Sequence, residues 1–176
     1  MDKPPRREAL FISHTNPEDN AFARWLGAKL AAMGYEVWAD VMRLHCGADW
    51  SRELEQALRN RATKLLVVCT PLSMDRQGVR NEIEIGAALT HELNDHEFII
   101  PLRLAPYEPH FRIAHAQYID FSKSWAEGLA ELVELLVNVH KIPRRPGQPM
   151  DKWMAAQSAG ATRLVEKRER LTSNWL

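Results

Sequence analysis

Few side chains in this sequence are placed to do chemistry. Glu82, Glu84 and Glu92 fall in a stretch that reads as a helix over roughly 79–93. With Val79 as reference and about 100° per residue, Ile83, Gly86, Ala87 and Thr90 lie within about 80° and form the inward face. Glu82 lies about 60° to the other side, on the flank of that face, while Glu84 and Glu92 point about 140° away into solvent. Glu82 alone is therefore aimed at a crevice. Geometry leaves two readings open: a carboxylate that acts on a ligand, or one that only complements the helix dipole, worth about 0.3–1 kcal/mol.

Other constellations fall short. His91 and His96 are one residue too far apart for HExxH, and at i,i+5 their rings diverge by about 140° on a helix. Metal is therefore not expected. Ser13 and His14 could suggest a nucleophile and its base, but neighbours on a strand face opposite sides. No GxGxxG or GxxxxGK[ST] occurs, which removes the commonest phosphate cradles. A phosphoacceptor receiver would need an Asp closing the third strand and an acidic pair after the first. Those places hold Cys69-Thr70 and Ser13-His14. Cys46 and Cys69 form no CxxC pair, and Cys69, ending an apolar run, reads as a buried thiol in a reducing compartment.

The elements that must position Glu82 follow from periodicity. Strands are expected at 9–13, 35–38, 64–69, 97–102 and, weakly, 117–119. Asn16 as N-cap and Pro17 at N1 predict a helix carrying Phe22, Trp25, Leu26, Leu30 and Met33 inward, closed by Gly34. A second helix is expected over 50–61, and a last one, capped by Ser122, carries Trp125, Leu129, Leu132, Leu136 and Val139 in one stripe. Strands alternating with helices imply an α/β fold: a flavodoxin-like, doubly wound, five-stranded parallel sheet with helices on both faces. The ligand crevice of such a sheet lies beyond the carboxyl ends of its strands, here 13–16, 40–49 and 70–81.

From Lys141 the composition changes. Residues 141–149 hold three prolines and three basic side chains and read as a linker, so the expected division is a domain at 1–140 and a basic segment at 141–176. The chain carries 23 basic and 23 acidic side chains, but 141–176 holds a balance of +5 and 1–140 one of −5. Neutrality thus excludes a basic nucleic-acid binder only for the chain as a whole. No apolar run approaches the roughly 20 residues of a membrane span, and no signal-peptide pattern is seen, so cytoplasm is the default expectation.

Several boxes together resemble TIR domains: Phe11-Ile12-Ser13-His14 with Asp19, then Gly34-Tyr35-Glu36-Val37-Trp38-Ala39-Asp40, then Gly47-Ala48-Asp49-Trp50. Gly78-Val79-Arg80-Asn81-Glu82 and Phe98-Ile99-Ile100-Pro101 continue the likeness, which spans about 9–140. Arg24-Trp25-Leu26, Asp120-Phe121-Ser122-Lys123-Ser124-Trp125 and the final Ser173-Asn174-Trp175-Leu176 are similar to the TIR-APAZ proteins that partner short prokaryotic Argonautes.

The resemblance implies hydrolysis of NAD+ to nicotinamide and ADP-ribose, triggered by TIR–TIR assembly. Glu82 would be the catalytic residue. Ser13, His14, Thr15, Asp40, His45 and Gly47 would bind NAD+, a substrate and not a cofactor. It also implies an Argonaute partner with guide RNA and target DNA, met through an APAZ region that would begin within 141–176 and continue beyond it. The isolated monomer would be inactive. One departure stands out: many NAD-cleaving TIR domains have Trp four residues before the glutamate, where this chain has Gly78. The alternatives are a non-enzymatic TIR scaffold for oligomerisation and, more distantly, a deoxyribosyltransferase-like enzyme.

Overall fold

The computed structural model describes residues 6–42 and 49–154. Five strands, β1 (Ala9–Ser13), β2 (Glu36–Ala39), β3 (Ala62–Cys69), β4 (Ile99–Arg103) and β5 (Ile119–Asp120), form one sheet in the order β2-β1-β3-β4-β5. Every pairing is parallel. This is the flavodoxin-like order, with the reversal between β1 and β3. The central strands are buried on both sides, as apolar runs such as Leu65–Cys69 require when helices cover both faces.

Two cores result. On one face α1 (Asn20–Ala32) and α5 (Trp125–Glu134) pack Phe22, Leu26, Leu30 and Leu132 against Leu10, Ile12, Leu66 and Val68. On the other, α2 (Asp49–Asn60) and α4 (Gln77–Glu92) pack Leu54, Leu58, Val79 and Ile83 against Phe11, Leu65 and Val67. Gly86 fixes the height of α4. A Cβ there would fall 2.6 Å from Leu65 Cδ2 and 3.0 Å from Ile99 Cδ1, so only glycine lets the helix lie this low on the sheet.

Several local expectations are corrected. The first helix starts at Asn20, not beside Asn16 and Pro17, because residues 15–19 form their own turn, in which Asp19 N–H donates to Thr15 O at 2.9 Å. A short helix, α3 (Pro71–Asp75), intervenes before α4 and is held by a capping box between Thr70 and Ser73. Ser124, not Ser122, caps α5 by accepting from Glu127 N–H. The last stripe is broken too: residues Leu135–Val139 widen into a π-turn, which rotates Val139 to 59% exposure while Leu136 stays buried.

Residues 141–154 run back along the domain. Arg145 N–H donates to Gly34 O, the Arg145 guanidinium pairs with Glu8 at 2.6 Å, and Ile142 and Trp153 join the first core. Trp153 lies on α1 where Gly27 leaves room; a Cβ at Gly27 would come within 2.1 Å of the indole. Among the described residues, no helix is long and apolar enough to cross a membrane.

Candidate active site

Glu82 lies on α4, which starts at Gln77, just after the short α3. It therefore sits in the second turn, and the first turn carries no acid. The helix-dipole effect fades beyond the first turn, so complementing it does not explain this residue. Val79 and Ile83, both buried, hold the face of α4 against β3, which turns Glu82 towards the ends of β1 and β2. Glu84 and Glu92 are exposed, and Glu84 pairs with Arg112 at 3.2 Å.

The space before Glu82 is a cleft of about 440 Å³ at the carboxyl ends of the strands, beside the β1/β3 reversal. Phe11, Leu54, Leu58 and Ile85 give it an apolar wall. His14, Thr15, Asn16, Asp40, Ser51, Glu55, Arg76 and Asn81 supply polar groups, and Gly78 lines it with bare backbone. This mixture of apolar wall and convergent polar groups is what a small-molecule site requires.

Burial drives the electrostatics. The Glu82 carboxyl is ringed by protein, though the residue keeps part of its surface open to the cleft, and its pKa is pushed up to about 7. Loss of water is the main cause. The Asp40 carboxylate adds to the rise and the Ser13 hydroxyl opposes it. Ser13 Oγ makes no hydrogen bond of good geometry, yet lies near enough to Glu82 to favour its charged form.

His14 is held below its ordinary value, chiefly by burial, and Asn20, Asp40 and Asp19 only partly restore it. It is therefore neutral at pH 7. Its Nε2 meets Asn20 Oδ1 at 2.9 Å, while Nδ1 is buried without a hydrogen bond of good geometry among the described residues, though the Ile12 backbone lies near the ring. Burial also raises Asp19 above its ordinary value, opposed by the nearby Thr15 hydroxyl and amide. Thr15 Oγ1 and Asp19 Oδ2 are likewise buried without a hydrogen bond of good geometry among the described residues. With Ser13 and His14 they make four poorly satisfied polar side chains at the end of β1, where a ligand or ordered water would complete them.

The structure brings Glu82, His14, Thr15 and Asp40 together around one cleft, with Ser13 behind Glu82. His45 and Gly47 lie outside the described residues. Sequence reasoning missed Ser51, Leu54, Glu55 and Leu58 as lining because it treated α2 only as cover for the sheet. Arg76 and Asn81 fell within the expected crevice segments, but no charge or spacing rule singled them out, and Asn16, also within them, reads as a helix cap instead. Among the described residues, no three His, Cys, Asp or Glu side chains converge as a metal site would require. Cys69 is buried with its thiol pushed up to about 12, donating to Val67 O.

Comparison with known proteins gives a consistent set. A family model described as TIR domain matches residues 10–133. "Uncharacterized protein y4cD" of Sinorhizobium fredii is 36% identical over 175 residues, 99% of this chain and 27% of that protein. The 2' cyclic ADP-D-ribose synthase AbTIR of Acinetobacter baumannii is 26% identical over 121 residues, 69% of this chain and 41% of that protein. The chain thus spans less than half the length of either curated relative. Among solved structures, the TIR domain of the Toll-related receptor TRR-2 from Hydra magnipapillata superposes with a TM-score of 0.58 at 20% identity. That match covers 73% of this chain and 98% of that one, and it is a likeness of fold.

Proposed function

The chain belongs to the TIR domain family, and from that footing we propose that it cleaves the nicotinamide–ribose bond of NAD+ with Glu82 as its single catalytic carboxylate. The observation that carries this reading is the desolvated Glu82 carboxyl, facing an open cleft beside the β1/β3 reversal.

The chemistry suits one carboxylate. As the C1′–N bond breaks, its electron pair leaves with nicotinamide, which departs as a neutral pyridine and needs no general acid. Positive charge develops on the ribose, as in glycoside hydrolysis, and an ionised Glu82 stabilises it at close range in a site of low polarity. Water then adds at C1′ and gives up a proton, leaving ADP-ribose. The pyridinium of bound NAD+ would favour the ionised form of Glu82 and draw its pKa below the free value of about 7. Neutral His14 and Thr15 would offer hydrogen bonds without adding charge.

AbTIR's name as a 2' cyclic ADP-D-ribose synthase favours a second outcome at the same site. A hydroxyl of the same molecule would replace water at C1′ and give a cyclic product. A scaffold, by contrast, has no use for a carboxyl whose ionisation opposes folding.

The reading extends to activation by TIR–TIR assembly and to a short prokaryotic Argonaute with guide RNA and target DNA as the partner. Supporting it is the +5 balance of 141–176, suited to a partner that carries nucleic acid. The test is nicotinamide release by wild type and Glu82→Gln, alone and with the nucleic-acid-loaded partner. Equal release by the two activated proteins would remove the catalytic assignment, and chromatography of the sugar product separates hydrolysis from cyclisation.

A further inference from the structure

Resting on that reading, a second feature of the cleft bears on how the substrate is held. The lining side chains are mostly acidic where charged: Asp40, Glu55 and Glu82. Among the described residues that line the cleft, Arg76 alone carries a permanent positive charge. A dinucleotide brings a doubly charged diphosphate, which three carboxyl groups would repel. In the structure, however, the Arg76 guanidinium is engaged: Nη2 meets Glu18 Oε1 at 2.5 Å, tying the turn after β1 to the start of α4.

The surroundings of Arg76 suit an anion. It is the N-cap residue of α4 and places no side-chain oxygen on the amides of the first turn, which leaves them facing outward with the positive end of the helix. Gly78 follows, and a Cβ there would meet no atom of the described residues within 4 Å, so on their side the backbone is open to close approach from the cleft. His14 Nδ1 and Thr15 Oγ1 are the independent sign of a ligand. Both residues line this cleft at 7% and 1% exposure, and neither atom makes a hydrogen bond of good geometry among the described residues, the Thr15 hydroxyl lying near Asp19 and the His14 ring near the Ile12 backbone. Gly78 lies one helical turn, about 6 Å, before Glu82, a span comparable with the ribose that separates an anomeric carbon from its phosphate.

We propose that Arg76 binds the diphosphate of the dinucleotide over the open first turn of α4, and that Glu18 is a built-in competitor which the diphosphate displaces. The glycine at position 78 then has a positive role: a tryptophan there would occupy the space through which the phosphates reach the helix.

The two partners of the ion pair make the proposal testable, because they should act with opposite sign. ADP-ribose is titrated by calorimetry into the full 176-residue chain, with thermal unfolding as the check on folding. Arg76→Ala should weaken ADP-ribose binding about tenfold to a hundredfold, the value of a charge-assisted hydrogen-bonded contact. Arg76→Lys should recover part of that loss. Glu18→Gln should tighten binding about two- to fivefold, since an exposed pair no longer competes.

A pair that only braces the cleft would weaken binding from either side, so weaker binding by Glu18→Gln overturns the proposal. So does equal binding by wild type and Arg76→Ala, or failure of wild type to bind ADP-ribose. If the opposite signs appear but nicotinamide release ignores Glu82, the diphosphate subsite stands and the glycohydrolase reading falls. If release depends on Glu82 while ADP-ribose ignores Arg76, only the subsite falls.

Discussion

Replacing Glu82 with glutamine should make the protein more stable, and by an amount that depends on pH. Glu82 has a folded-state pKa of about 7 against an ordinary 4.5. The folded chain therefore keeps this proton to higher pH than the unfolded chain does. Ionisation opposes folding: the penalty is absent well below pH 4.5, grows between 4.5 and 7, and is constant above. At about 1.4 kcal/mol per pH unit of separation, the full penalty is about 3 kcal/mol. This is an upper bound, because the carboxyl is open to the cleft and partly screened.

Glutamine has nearly the same shape and never ionises. The stability gap between Glu82→Gln and wild type should then be under about 0.5 kcal/mol at pH 4.5 and rise to at most about 2 at pH 6 and about 3 at pH 8. For a chain of this size that corresponds to about 6–12 °C in Tm at pH 8 and under about 2 °C at pH 4.5. Thermal unfolding across this range measures it. Because Asp40 helps raise the Glu82 pKa, repeating the comparison in an Asp40→Asn background should narrow the gap at pH 8. A gap of the same size at both ends of the range would mean that glutamine stabilises by packing, and the desolvation account would be wrong.

Three further outcomes are expected. If the ionised carboxylate acts, kcat/KM for NAD+ should rise with pH through about 7 and then level off; a flat profile from pH 5 to 9 would deny Glu82 that role. Gly86→Val should drive a side chain into Leu65 and Ile99, lowering stability by about 1–3 kcal/mol in denaturant titration and lifting the helix that carries Glu82. Trp153→Ala should cost about 3–5 kcal/mol, since the indole is 2% exposed in the first core; a loss below about 1 kcal/mol in the same titration would show that residues 141–154 are not part of the folded unit.

The sheet was legible because its strands are apolar runs that only a doubly covered parallel sheet can bury, and Gly34, at φ +94°, ends the first helix where a left-handed residue is needed. Glu82 was legible from its angle on the helix, which depends on spacing alone. The helix start was not. Asn16 reads locally as a cap, but its side chain accepts from Asn20, the first residue of α1, and donates to Asp40, a partner 24 positions away that no local rule supplies. The same holds for Arg76, whose engagement with Glu18 spans 58 positions. Ile142 and Trp153 were hidden for a further reason: the three prolines of 141–149 make Ile142 read as part of a linker and leave Trp153 beyond it, yet Ile142 joins the core and Trp153 meets surface left free by Gly27.

Buried polar groups elsewhere are mostly paired: Lys64, at 3% exposure, meets Asp95 at 2.7 Å, and away from the end of β1 Tyr35 Oη and His140 Nε2 are the two side-chain atoms among the described residues left buried without a hydrogen bond. The end of β1 holds the larger group. Ser13, His14, Thr15 and Asp19 each bury a polar atom without a hydrogen bond of good geometry, and Glu82 opposite them is pushed up to about 7. An unsatisfied buried group typically costs about 1–3 kcal/mol, so selection for stability alone would replace several of these side chains with apolar ones. Concentrated violations of this kind mark sites where function opposes stability. A ligand that hydrogen-bonds the cleft-lining His14 and Thr15 would recover part of that cost. Ribose hydroxyls have the chemistry to do so, which ties the stability argument to the proposed substrate.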